Sequence, residues 1–182
     1  IEEALQFAAS LTQHGGSILK DLFAGAILTE EQMILPVEDY AYDEGSGISG
    51  WIHNKRVLLG KREMMVEHNI EGLPAVYKED ELTNGSLEAI YLSVSGTISA
   101  MFIVSLTAGK GIKRWLRELE REDIHLLIRS NDALLSQRRI ARMFGYPEEL
   151  LKVIPTRLEQ EYIAETQPLE TASASMVCEG RL

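Results

Sequence analysis

Residues 45–50 read Gly45-Ser46-Gly47-Ile48-Ser49-Gly50, with glycines at the spacing G-x-G-x-x-G. Without a Cβ, Gly45, Gly47 and Gly50 let backbone N–H groups come close to a nucleotide, and these three are the candidate binding residues. The same glycines serve equally well as a turn that needs positive φ. A strand rather than a helix follows them, which is not the dinucleotide-binding arrangement. His14, His53, His68 and His125 share no ligand spacing and no carboxylate pattern joins them, so no metal site is expected. Ser17, Ser130 and the single cysteine, Cys178, stand in no strand–turn–helix elbow. One cysteine also excludes a disulfide within the chain and a cysteine zinc cage. Met64, Met65 and Met143 read as packing residues. No residue is assigned a catalytic role.

Charge sets a second boundary. Of 18 basic and 28 acidic residues, residues 110–142 hold 9 and 5, whereas residues 1–109 hold 6 and 16. A net charge of -10 with one basic stretch does not suit nucleic-acid binding, which needs many phosphate contacts. The basic stretch is a solvated helix face or a docking surface for phosphate, lipid headgroups or an acidic neighbour. A hydrophobic fraction of 45% across 182 residues is enough for a sizeable core and argues against disorder. No apolar run is long enough to span a membrane. The chain opens on Ile1 inside a helical pattern with no signal peptide, as expected of a fragment of a longer protein.

The elements that must carry these residues follow from periodicity. Ala4, Leu5, Ala8 and Leu11 predict a helix broken by Gly15-Gly16, and Ser17 is placed to cap a second helix with Ile18, Leu19, Leu22 and Phe23. Strands are expected over Val37 to Tyr42, Ile48 to Ile52 and Arg56 to Leu59, the last two joined by His53-Asn54-Lys55. A short helix over Arg62 to His68 leads into a poorly patterned stretch ending at Leu87. A second hairpin, Glu88 to Val94 and Thr97 to Ser105, turns about Ser95-Gly96. Beyond it the grammar changes. Ile112, Trp115, Leu116 and Leu119 predict an amphipathic helix, Ile124 to Ile128 a buried parallel strand, and residues 133–144 a helix closed by Gly145. Pro147 opens a short helix, and Val153-Ile154 is a further strand. The expected fold is therefore α/β. An antiparallel sheet with flanking helices occupies 1–104, and a partial doubly wound unit with an irregular tail occupies 105–182.

Taken in order, Ala8-Ala9-Ser10-Leu11, the glycine turn and Val57-Leu58-Leu59-Gly60-Lys61-Arg62-Glu63-Met64-Met65 resemble the nucleotide-binding domain of P-type cation-transporting ATPases. The likeness is nearest to the heavy-metal-transporting branch, where a G-x-G-x-x-G turn precedes a V-L-x-G-N-x-x-x-M segment. The later hairpin, helix and strand resemble the passage into that family's phosphorylation domain, which has a haloacid-dehalogenase-like fold. Gly145 and Pro155 fall where the family places them, and the resemblance covers residues 4–160.

The departures concern phosphoryl transfer. The family's D-K-T-G-T is not in the chain and would precede residue 1, and its G-D-G-x-N-D loop is missing. Leu106-Thr107 stands for an Asp-Pro, Arg129-Ser130-Asn131 for T-G-D, Leu158 for a lysine, and Gly16-Ser17-Ile18 near an eroded S-E-H-P. Loss of magnesium carboxylates and of cations around the transferring oxygens removes what that chemistry requires. Arg129 alone retains a guanidinium that could hold an anion.

The resemblance thus implies the cytoplasmic part of a P-type-ATPase-like membrane protein, itself soluble, with a degenerate catalytic centre and a regulatory or structural role. It implies weak binding of ATP or ADP, no magnesium site, and contact with the other domains of the parent protein. One alternative is the ATP-hydrolysing part of an active heavy-metal pump. Another is a protein-interaction module that has lost nucleotides and uses Lys113, Arg114, Arg117 and Arg121.

Overall fold

A computed structural model describes residues 1–27, 33–43, 45–85, 87–105, 109–130, 132 and 136–154. Leu106-Thr107, Asn131, Pro155, Leu158, Cys178 and the tail from Ala164 lie outside the described residues.

Helix α1 (Glu2–Gly15) buries Ala4, Ala8 and Leu11 of the expected stripe and Phe7 besides, while Leu5 is only partly buried. It ends where Gly16 takes a left-handed φ of 66° and the Ser17 N–H turns back to the Thr12 carbonyl. Helix α2 (Lys20–Ala26) follows, three residues beyond Ser17. Ser17 therefore does not sit at the helix N-cap; its Oγ instead accepts from the Leu19 N–H at 3.2 Å in the preceding turn.

Five strands then form an antiparallel meander: β1 (Glu38–Asp43), β2 (Gly47–Ile52), β3 (Lys55–Gly60), β4 (Glu88–Val94) and β5 (Thr97–Val104). Two hairpins have two-residue turns with both residues at positive φ, His53-Asn54 (51° and 58°) and Ser95-Gly96 (51° and 88°). That backbone twist matches the right-handed twist of the flanking strands, so these turns fix the register. Period-two alternation divides the side chains between two faces. Ile48, Ile52, Val57, Leu59, Ile90 and Leu92 pack with α1 and α2, where Phe23 meets Phe102 edge-on at 4.9 Å. Leu58, Ala89 and Tyr91 face the other way, onto Met64 and Met65 of α3 (Arg62–Glu67).

Helix α4 (Val76–Thr83) arises in the stretch that lacked a pattern. None of its residues is buried, so it has no apolar stripe to read.

The remaining elements are α5 (Lys110–Arg121), β6 (Leu126–Arg129), α6 (Gln137–Phe144), a 3₁₀ turn (Glu148–Leu150) and β7 (Leu151–Ile154). Strands β6 and β7 pair in parallel, Leu126 with Leu151 through Arg129 with Ile154, with α6 in the crossover between them. Leu116, Ile140, Phe144, Tyr146 and Leu151 make their core, and Ile18 packs against both this cluster and the one under α1. Ser136 caps α6, accepting from the Arg139 N–H at 3.3 Å, and Gly145 closes it at φ 66°. Three expectations are corrected here. The strand expected to be buried over Ile124 to Ile128 begins at Leu126 and is not buried. Leu126 and Ile128 are only partly covered and Leu127 is exposed, because the partner strand β7 and the small core cluster cover one side of it. Pro147 opens a 3₁₀ turn instead of a short α-helix. In the α5 stripe only Leu116 is buried, while Ile112 and Trp115 are exposed, because one turn of the helix meets the core and the rest stands clear. Among the described residues, no helix is long and apolar enough to cross a membrane.

Candidate functional site

The three candidate glycines occupy three different environments. Gly45 lies in the β1–β2 turn at φ 71°, with open space on the side where a Cβ would stand. Gly47 pairs with Gly60 across β2 and β3, and a Cβ on Gly47 would come within 2.6 Å of the Leu59 carbonyl oxygen and 2.7 Å of the Gly60 Cα. Gly60 is equally crowded, its Cβ position 2.5 Å from the Ser46 carbonyl oxygen. At Gly50 a Cβ would meet the Val37 Cγ1 at 2.5 Å. The close approach that Gly47 and Gly50 permit is therefore of the protein to itself, and Gly45 alone presents an open face. The turn is fastened by the Ser46 N–H to the Asp43 carbonyl at 3.0 Å and the Lys61 N–H to the Ser46 carbonyl at 2.8 Å. The Lys61 ammonium also donates to the Gly45 carbonyl.

Lys61 leads from this turn into a cleft of about 240 Å³ between α3, α4, the start of β4 and α6. Burial, and then the nearby Arg139 guanidinium, lower the Lys61 pKa. On one wall Arg62 donates to Glu79 at 2.5 Å, to the Pro74 carbonyl at 2.7 Å and to the Tyr91 hydroxyl at 3.1 Å. Tyr91, fully buried, donates to the same Glu79 oxygen at 2.5 Å. Burial, with the Glu79 carboxylate beside it, pushes the Tyr91 hydroxyl up to about 12. On the opposite wall the buried Arg139 holds Glu88 at 2.6 Å, with Arg142 at 3.8 Å from the same carboxylate.

A second junction lies where Gly16-Ser17-Ile18 leaves α1. The Asp132 carboxylate accepts from the Ser17 hydroxyl at 2.9 Å and from the Ile18 N–H at 2.7 Å. Tyr40 covers Gly15, lies tilted against the His14 ring with centroids 4.9 Å apart, and has its hydroxyl pKa raised by burial and then by the Asp132 charge. Sequence reasoning missed Lys61, Arg139 and Asp132. For Lys61 a signal existed, since it stands where the resemblance has the asparagine of V-L-x-G-N. For the other two there was none, because their partners lie 51 and 115 residues away in the chain. Lys113, Arg114, Arg117 and Arg121 are on α5 and do not line the cleft, and Arg129 ends β6.

A glycine turn at the edge of an antiparallel meander, followed by a parallel α/β pair, is the arrangement expected from the resemblance to P-type ATPases. The chain's relatives are of that class. It is 21% identical over 179 residues to a copper-exporting P-type ATPase of Staphylococcus saprophyticus, covering 98% of this chain and 22% of that protein. It is 22% identical over 156 residues to a copper-exporting P-type ATPase of Staphylococcus epidermidis, covering 84% of the chain and 19% of that protein. The chain thus spans about a fifth of the length of these relatives. Among solved structures, the N-domain of a copper-transporting P-type ATPase is 24% identical, with 55% of this chain and 84% of that chain covered and a TM-score of 0.44. A zinc-transporting PIB-type ATPase in the E2.Pi state is 19% identical, with 84% and 24% covered and a TM-score of 0.46. No family model matches the chain. The relatives bear out the resemblance to heavy-metal P-type ATPases across nearly the whole chain.

Proposed function

We propose that the chain is a cytoplasmic portion of a P-type-ATPase-like membrane protein that has kept the scaffold and a weak site for ATP or ADP but not the phosphoryl-transfer chemistry. In this reading residues 1–104 are the nucleotide-binding part and residues 105–182 a partial phosphorylation part, and the pair regulates or supports the rest of the parent protein. The observation that carries the nucleotide site is the open face of Gly45 beside the half-buried Lys61 ammonium, which together offer backbone access and a cation. Support for the loss of chemistry comes from the residues that stand where the resemblance has catalytic ones. Asn131 in place of aspartate lacks the negative charge that would hold magnesium, and Leu158 in place of lysine leaves transition-state charge unbalanced. Each change raises the barrier, and a loss of several kcal/mol is several powers of ten in rate. Support for weak affinity comes from Asp132, whose carboxylate occupies the Ser17 hydroxyl and Ile18 N–H near the eroded S-E-H-P segment, where contacts to the base would lie.

The test is incubation of the chain with radiolabelled ATP and magnesium, acid quench, and an amide-shift titration with ATP. The expected result is no hydroxylamine-sensitive label, and saturable shifts at residues 45–61 with a Kd on the order of millimolar, about -4 kcal/mol. A stable acyl-phosphate would overturn the degenerate reading. The absence of any saturable shift would overturn the nucleotide site.

A further inference from the structure

We infer that the first two turns of α5 seat this chain on an anionic lipid surface, with Ile112 and Trp115 inserted among the headgroups and Lys110, Arg114 and Arg117 beside the phosphates. The inference goes beyond the nucleotide reading and uses none of its residues. It shares with that reading only the expectation that the parent is a membrane protein.

The exposed face of the helix is the first ground. Lys110, Arg114 and Arg117 recur at i, i+4 and i+7, so they stand on one side of the helix, and all three are exposed. Ile112 and Trp115, at i and i+3, make a neighbouring strip and are 46% and 53% exposed. Only Leu116 of the helix is buried, with Leu119 packed against the same core. Core packing thus accounts for one side of α5 and leaves Ile112 and Trp115 outside it. An apolar strip with a tryptophan, beside a row of Lys and Arg, is the composition of helices that lie in a membrane interface. There the indole sits at headgroup level and the basic side chains reach anionic lipid. At 12 residues, about 18 Å, α5 is too short to cross a bilayer and fits only along its surface.

Charge is the second ground. Residues 110–117 hold four cations and no carboxylate, in a chain of net charge -10. The helix itself gains nothing from this, since its first turn carries Lys110 and Lys113 and no acid, against the preference of the helix dipole. Glu118, Glu120, Glu122 and Asp123 come only afterwards, so an anionic surface meets the N-terminal turns first. Charges farther than about 8 Å from that surface are largely screened at physiological salt, so the local surplus outweighs the overall charge. A second copy of the chain is the competing occupant, because α4 carries Glu79, Asp80 and Glu81 beside the exposed Val76 and Tyr77. Of these carboxylates, however, Glu79 is already held by Arg62 and Tyr91.

The experiment is co-sedimentation of the chain with vesicles of equimolar phosphatidylserine and phosphatidylcholine, and with vesicles of phosphatidylcholine alone. Fluorescence is read on Trp51→Phe, which leaves Trp115 as the single indole. The chain should bind the mixed vesicles and not the neutral ones, and added salt should weaken binding. Trp115 emission should shift to the blue and be quenched by brominated lipid. The pair Arg114→Gln and Arg117→Gln should weaken binding roughly thirtyfold, at about 1 kcal/mol for each charge near the surface. Trp115→Ser should weaken it about tenfold. These side chains are exposed, thermal melts check that the fold is kept, and either variant alone carries the test. No sedimentation with mixed vesicles, equal binding to neutral ones, or indifference to the arginine pair overturns the inference. A blue shift that grows with chain concentration in the absence of vesicles, together with a larger sedimenting mass, would overturn it in favour of a second copy. None of these outcomes alters the titration with ATP, so the two readings fail separately.

Discussion

Gly47 and Gly60 meet across two strands with no room for a side chain on either. The atoms in the way are a carbonyl oxygen and a Cα, which cannot turn aside as the end of a side chain can. Gly47→Ala should therefore destabilise the fold by about 1–3 kcal/mol through overpacking. Gly45→Ala meets nothing and bears only the cost of a positive φ, about 1 kcal/mol. In thermal unfolding the first substitution should lower Tm more than the second, at roughly 2–4 °C per kcal/mol for a chain of this size. The reverse order would mean that the pair is looser than its geometry. The motif was legible as spacing, but spacing does not say what approaches a glycine. A ligand and a neighbouring strand leave the same requirement in the sequence, and here the neighbouring strand accounts for Gly47.

Among the elements, the hairpins were the most legible, because His53-Asn54 and Ser95-Gly96 carry residues that tolerate a left-handed backbone between runs of strand formers. Helix α4 was illegible for the opposite reason. It is held by polar contacts at one residue, Glu79, to Arg62 and Tyr91, and such contacts have no period. That attachment makes α4 sensitive to alkali. The unfolded chain gives up a tyrosine proton near pH 10, whereas Tyr91 in the fold keeps its proton to about 12. Between these values the unfolded state binds fewer protons, so stability falls as pH rises. Two units correspond to roughly 2–3 kcal/mol, present below pH 10 and lost by pH 12. Denaturant midpoints measured across that range should fall less steeply in Tyr91→Phe than in the parent chain. Equal slopes would place the alkaline sensitivity elsewhere, for example at Tyr40 or Tyr146, whose pKa values are also raised, chiefly by burial.

At the scale of the whole molecule, polar contacts among the described residues join the meander and its helices to the parallel pair at two places: Asp132 on Ser17 and Ile18, and Arg139 with Arg142 on Glu88. Neither was legible. The excess of basic residues over 110–142 marks a region, yet it does not reveal that Arg139 points inward while Arg138 and Arg142 face water. Asp132→Ala would leave the Ile18 N–H and the Ser17 hydroxyl without their acceptor, at about 1–3 kcal/mol. Hydrogen exchange at residues 17–19 should speed up, while amides in β3 and β4 keep their protection. Unchanged exchange at Ile18 would show that the carboxylate contributes nothing to this junction. The order of the elements along the chain also matters before any of these contacts exist. Helix α1 lays Phe7, Ala8 and Leu11 on a sheet face made by β2 and β3, which end only at Gly60. At about 5–20 residues per second of synthesis, that apolar stripe waits several seconds in the nascent chain for the strands that will cover it.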